Sequence, residues 1–232
     1  MTNGKDYFVT VVIPLYNEEE SLVELYARLT DVLTGLVRGY ELIFVDDGST
    51  DGSLGTLREL RERDRRVKII SFKRNFGKSA ALQEAFRASR GDIVITIDAD
   101  LQDDPNEIPG LIEKLEEGVD LVSGWKTDRK DPITKTIPSR FFNFVTSMAS
   151  GIKIHDFNCG LKAYRGEVVK RVSIYGELHR FIPVLAAWEG FRVTEKPVKH
   201  YERQFGESKY GVNRFLNGLF DLMTVMFITR RA

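Results

Sequence analysis

Ile93-Val94-Ile95-Thr96-Ile97-Asp98-Ala99-Asp100-Leu101-Gln102-Asp103-Asp104 is the stretch whose reading decides the fold. Its first five residues are all β-branched, and a run this short and apolar along most of its length suits a strand covered on both faces, as in a parallel sheet flanked by helices. The strand ends at once in four carboxylates within seven positions. Like charges so close repel one another. A divalent cation with oxygen ligands, Mg²⁺ or Mn²⁺, is the usual relief at an open strand end. The plainer reading is a helix start, with Asp103 or Asp104 capping the helix after Pro105. Capping accounts for Asp104 but not for Asp98 and Asp100. A D-x-D taken alone is a weak signal.

Outward from this stretch the same alternation repeats. Residues 7–13, 41–45, 67–72 and 120–123 read as further strands, with helices over 18–37, 51–64, 78–89 and 106–117. The βαβα order predicts parallel pairing with right-handed crossovers, and a ligand site beyond the carboxyl ends of the strands. Four successive strands thus bring polar residues to one rim: 14–18, 46–49, 73–75 and 98–100. Further along, 126–135 reads as a charged loop, 138–150 as an aromatic helix, 155–165 as a turn followed by a strand, 177–190 as helix and 192–201 as strand. The pattern places a catalytic domain at 1–210 and an amphipathic juxtamembrane helix at 211–232.

Among the rim segments, Asp46-Asp47-Gly48-Ser49-Thr50-Asp51-Gly52 reads as a glycine turn with Ser49 or Asp51 capping the next helix, leaving one of Asp46 and Asp47 for a base or ribose. In Pro14-Leu15-Tyr16-Asn17-Glu18, Asn17 is the expected cap, and Tyr16 is open to pack against a ligand. Neither segment is a G-x-G-x-x-G fingerprint, which disfavours a dinucleotide enzyme.

Composition narrows the classes. The 232 residues are 42% hydrophobic and 29% charged, as in an ordinary globular enzyme. Lys plus Arg and Asp plus Glu both number 34, so the global basic field expected of a nucleic-acid binder is missing. One cysteine, Cys159, cannot close an internal disulfide, and three scattered histidines give no zinc spacing. The polar start lacks the apolar core of a secretory signal, so the catalytic part is expected in the cytoplasm. Residues 215–228 come nearest to a membrane span but fall short of about 20 apolar residues. Their wide apolar face suits burial against the domain, a partner or the membrane interface.

Five ordered segments carry a family likeness: Pro-Leu-Tyr-Asn-Glu at 14–18, Val-Asp-Asp-Gly-Ser at 45–49, Asp-Ala-Asp-Leu-Gln at 98–102, Ser-Gly-Trp-Lys at 123–126 and Arg-Gln-Phe-Gly-Glu-Ser-Lys at 203–209. Together they resemble the family 2 glycosyltransferases of GT-A fold, within them the polyprenyl-phosphate sugar synthases related to dolichyl-phosphate mannosyltransferase. The resemblance implies an α/β, Rossmann-like architecture with a mostly parallel central sheet. It implies an inverting, metal-dependent enzyme that moves a sugar from a GDP- or UDP-sugar to a polyprenyl phosphate at the cytoplasmic face of the membrane.

By the same resemblance Pro14, Tyr16, Glu18, Val45 and Asp47 would hold base and ribose, and Asp98 and Ala99 would contact nucleotide and sugar. Asp100 and Gln102 would bind Mg²⁺ or Mn²⁺. Arg203 and Lys209 would engage the donor diphosphate or acceptor phosphate, although residues of this kind are more often solvated surface charges. Lys126 stands where relatives often carry Arg, which keeps the charge and loses the bidentate fork, and it joins the nucleotide-sugar set. The segment 155–160 resembles that of membrane-associated members, making Asp156 a catalytic or acceptor-site carboxylate, with turn formation an equal alternative. His179 reads as a packed or helix-end histidine, and Cys159 as a small buried residue. Two further readings remain: a family 2 enzyme with a saccharide acceptor, and a non-catalytic nucleotide-sugar binding protein.

Overall fold

The structure is a computed structural model. It describes residues 5–127, 143, 145–148 and 150–202. Seven strands form one sheet: β1 (Lys5–Leu15), β2 (Val37–Asp46), β3 (Val67–Ser71), β4 (Ile93–Thr96), β5 (Leu121–Lys126), β6 (Lys162–Arg165) and β7 (Val193–Val198). Their order is β3-β2-β1-β4-β6-β5-β7. The helices are α1 (Glu19–Leu33), α2 (Ser53–Arg63), α3 (Lys78–Ala88), α4 (Ile108–Glu116), α5 (Gly166–Arg171) and α6 (Ile182–Trp188). Short 3₁₀ turns, Pro105–Glu107 and Leu178–Phe181, precede α4 and α6.

Strand alternation sorts the apolar residues into two layers. Val9, Val11 and Ile13 of β1 face Leu22, Leu25 and Leu29 of α1, Leu57 of α2, and Leu111 and Leu115 of α4. Val12 and the β2 residues Ile43 and Val45 face Ala81, Leu82, Ala85 and Phe86 of α3, Val168 of α5 and Ile182 of α6. Both faces of the sheet are therefore covered, as the unbroken β-branched run at 93–97 predicts.

One expectation needs correction. The first helix does not run from 18 to 37. It stops at Leu33, because Gly35 adopts φ +82° and turns the chain into β2 at Val37. The sheet is mostly parallel, as expected, and β6 alone runs antiparallel to both neighbours, with Thr96 opposite Lys162 and Val122 opposite Ala163. This reversal brings the chain entering β6, residues 156–160, to the rim where β4 ends. The parallel edge strand β7 brings His200 to the same rim, where it pairs with Asp103. The proposed helix at 211–232 and most of the aromatic segment at 138–150 lie outside the described residues, as does the domain boundary at 210.

Candidate active site

The carboxyl ends of β1, β2, β3 and β4 enclose an open cleft of about 410 Å³. Pro14, Tyr16, Glu18, Asp47, Asp98, Ala99 and Asp100 line it, together with Asn75, Gly77, Lys78 and Glu177. Seven of the residues singled out from the sequence thus meet in one hollow. Val45 does not reach its surface and is fully buried within β2. Asn17 is not the helix cap expected of it. Its carboxamide oxygen accepts from Thr50 N–H at 2.7 Å, and its N–H donates to Ser49 Oγ at 2.9 Å, fastening the β1 and β2 loops together.

The two aspartates after β2 divide their work. Asp46 accepts from Ser49 N–H at 2.9 Å and from Ser71 Oγ at 3.2 Å, so it shapes its own turn and the end of β3. Asp47 accepts from Phe76 N–H at 2.7 Å and Gly77 N–H at 2.9 Å, holding the β3–α3 loop against the cleft. Burial raises the Asp47 carboxyl above its usual range despite those two bonds, and the neighbouring Asp46 adds to the rise. Gly48 must be glycine, because a Cβ there would lie 2.5 Å from the Arg74 carbonyl carbon, and its φ is +73°.

Lys78 is the cleft residue that the sequence reading missed. It opens α3 directly after Gly77, whose φ is +92°, and its ammonium forms a hydrogen-bonded ion pair with Asp98. A Gly-Lys pair at a strand-to-helix turn was the available signal, since a helix N-terminus and a lysine together favour an anion. On the other side of Asp98 the chain comes so close that a Cβ on Gly160 would fall 2.5 Å from its carboxylate. Asp98 is therefore clamped between α3 and the 156–160 turn.

Beyond Asp100, Leu101 takes φ +60° while wholly buried, an uncommon backbone state of the kind that collects at functional loops. Asp100 accepts from Gln102 N–H at 3.2 Å. The Gln102 carboxamide turns away and donates to the Tyr201 carbonyl at 3.2 Å. Asp103 is buried, with the Lys126 ammonium 3.2 Å and His200 Nδ1 3.7 Å away. Burial by itself would raise Asp103, but Lys126 and His200 outweigh it and hold the carboxyl well below its usual range. Lys126 is shifted upward in turn, chiefly by Asp103 acting against its own desolvation. Lys126 thus serves here as an internal counter-ion. Asp104 caps the 3₁₀ turn through Asn106 N–H at 3.0 Å, as expected, and also accepts from the Tyr201 hydroxyl at 3.0 Å.

Asp156 is buried, and its carboxylate accepts from Asn158 N–H at 3.0 Å, the turn-forming arrangement. Lys162 bonds the carbonyls of Phe157 and Cys159, and its burial lowers its pKa. The Cys159 thiol is pushed up to about 12 by burial, which leaves it inert. His179 packs as expected. Its N–H donates to Ser79 Oγ at 3.1 Å, and Ser79 Oγ lies 2.9 Å from His179 Nδ1. Arg203 and Lys209 lie outside the described residues.

The cleft offers a hard cation oxygen ligands without a closed cage. Among the described residues no group of three or more His, Cys, Asp or Glu is poised around one point. One or two carboxylates with the remaining positions left to phosphate oxygens is the usual Mg²⁺ arrangement, and Asp100 at the cleft fits it.

A family model described as glycosyl transferase family 2 matches residues 10–173. The chain is 39% identical over 227 residues to a dodecaprenyl-phosphate galacturonate synthase from Rhizobium johnstonii, covering 96% of this chain and 67% of that protein. It is 43% identical over 222 residues to an undecaprenyl-phosphate 4-deoxy-4-formamido-L-arabinose transferase from Pseudomonas paraeruginosa, covering 95% and 66%. It spans about two thirds of the length of these relatives. Among solved structures, the fold is similar to glucosyl-3-phosphoglycerate synthase from Mycobacterium tuberculosis, in complex with phosphoglyceric acid, at TM-score 0.70, 21% identity and coverage of 96% and 80%. It is also similar to a Pyrobaculum calidifontis mannosyltransferase in complex with GDP-Man and Mn²⁺, at TM-score 0.68, 22% identity and coverage of 97% and 64%. The architecture is accordingly GT-A, and the chain belongs to glycosyl transferase family 2.

Proposed function

We propose that this chain is the catalytic part of an inverting glycosyltransferase that moves a sugar from a nucleotide-sugar to a polyprenyl phosphate at the cytoplasmic membrane face. What supports the reading is the near full-length likeness, 39% and 43% identity over 96% and 95% of the chain, to two relatives named for such acceptors. The cleft suits the chemistry. Pro14, Tyr16 and Asp47, assigned to base and ribose, line the same cleft as Lys78, Asp98 and Asp100, assigned to diphosphate and sugar.

In the reaction an acceptor phosphate oxygen attacks the anomeric carbon from the face opposite the donor diphosphate. The bond from that carbon to the diphosphate oxygen breaks, and the electron pair leaves with the nucleoside diphosphate. A divalent cation held by Asp100 would neutralise charge on the departing diphosphate. Lys78 supplies positive charge at the same place and orients Asp98 toward the sugar. A phosphate is already ionised near neutrality, so no strong general base is needed, and Asp156 orients the turn beside Asp98. Arg203 and Lys209, in the segment 203–209, are assigned to the anionic groups of donor and acceptor.

The test is a screen of UDP- and GDP-sugars against polyprenyl phosphates and soluble saccharides, with product masses read directly and the anomeric configuration read by NMR. A polyprenyl-phosphate sugar of inverted configuration is expected. A saccharide product, or donor binding without transfer, overturns the reading.

A further inference from the structure

The exposed aromatic residues beside the cleft have no part in the chemistry above. Phe76 is 52% exposed and Tyr175 is 55% exposed, although side chains of this size usually bury most of their surface. They sit on two loops that meet at the cleft mouth, since a Cβ on Gly77 would lie only 3.8 Å from Glu177 Oε1. Lys73, Arg74 and Asn75 before Phe76 are exposed as well.

This rim is held in place. The two bonds that Asp47 accepts from Phe76 and Gly77 fix the loop backbone. The ring of Phe72, packed on the core, meets Phe76 edge-on at 5.6 Å, and the Arg74 guanidinium lies 4.1 Å over the outer Phe76 ring. An apolar ring presented outward on a fixed loop, with two cations beside it, is matched to a surface that is apolar just beneath an anionic layer.

We propose that residues 73–76, together with Tyr175, form a docking surface for a bilayer carrying acidic headgroups. Phe76 and Tyr175 enter at headgroup depth while Lys73 and Arg74 meet lipid phosphates. The inference rests on the transfer reading above, because a lipid-borne acceptor must reach the cleft from the membrane, and this rim stands at the cleft mouth.

The full chain, with everything beyond Glu202 unchanged, is pelleted with vesicles of phosphatidylglycerol and phosphatidylcholine or of phosphatidylcholine alone. Wild type is compared with Arg74→Ser and with the double variant Phe76→Ser/Tyr175→Ser. Replacing Arg74 is expected to lower partition onto the anionic vesicles about fivefold, and the double replacement about tenfold. Turnover of a long-chain polyprenyl phosphate embedded in the vesicles falls in parallel, while turnover of a short, water-soluble polyprenyl phosphate without vesicles stays at the wild-type rate. Unchanged partition in the double variant, or equal loss on both acceptors, overturns the surface. Wild-type failure on both acceptors overturns the transfer reading instead, and the pelleting comparison still decides the surface.

Discussion

A carboxylate that already accepts two backbone hydrogen bonds does structural work whatever else it touches, and Asp47 does this for the loop that carries Gly77 and Lys78. Asp47→Ala should therefore raise the donor KM about tenfold or more with a smaller change in kcat, because donor contacts are shared by ground and transition states. Steady-state kinetics decide this, and an unchanged KM with kcat lost would place Asp47 at the chemical step. Lys78 lines the same cleft and pairs with Asp98. Lys78→Met should lower kcat about 100-fold, the scale for loss of one charge-stabilising group, with the circular dichroism spectrum unchanged. Far from the site, Glu41 is buried among Lys68, Arg90 and Thr10, with its carboxylate 2.6 Å from the Lys68 ammonium. Burial would raise it, but Lys68, Thr10 and the Arg90 N–H together lower it below the ordinary 4.5. A lowered carboxyl adds stability that is fully present above the unfolded pKa and is lost as pH falls through the folded one. Glu41→Gln should accordingly cost about 1–2 kcal/mol near neutrality, the scale of lost hydrogen bonds to a charged group, since Lys68 and Arg90 can still reach solvent. The gap in urea midpoint from wild type should narrow as pH drops from neutral to below 4.5, and a constant gap would contradict it.

Among elements, the antiparallel β6 is the feature with most consequence, because it delivers the 156–160 turn and Lys162 to the end of β4. Gly160 lets that turn approach Asp98, and Gly160→Ala should reduce turnover steeply, since a Cβ would lie 2.5 Å from the carboxylate. Crystallography of the variant should find Asp98 displaced from Lys78. The 3₁₀ turn Leu178–Phe181 is fastened to α3 through Ser79. Ser79 Oγ accepts from the His179 backbone N–H and lies 2.9 Å from His179 Nδ1, so one hydroxyl ties both the turn and the imidazole to α3. Deleting the hydroxyl with Ser79→Ala should loosen the turn and the adjoining Glu177. Faster amide exchange over 177–181 is the expected measurement, with the strands unaffected.

At the scale of the molecule, the sheet gathers one open carboxylate rim, and on the proposed reading a divalent cation bound with the donor would complete the electrostatics of substrate binding. Chelation should abolish transfer reversibly while the melting temperature of the donor-free protein barely moves, because no described core group depends on a metal. Asp100→Asn should behave like chelation even with Mn²⁺ supplied. Full activity in metal-free buffer would refute the assignment.

The sequence by itself determined the layered α/β architecture, since β-branched runs such as 93–97 suit strands covered on both faces and alternate with helical segments. It also determined which strand ends line the cleft, because charged residues cannot continue into a covered strand. Periodicity is local, and the residues around Pro14, Asp47, Asp98 and Asp100 were legible for that reason. Contacts across the sheet are not local. Only the tertiary structure reversed β6, turned Gln102 toward Tyr201, gave Lys126 to Asp103 and set Lys78 against Asp98. In each case the deciding partner lies 20 to 99 positions away in the chain, where the need to pair buried charge and satisfy buried polar groups overrides anything the neighbouring residues encode.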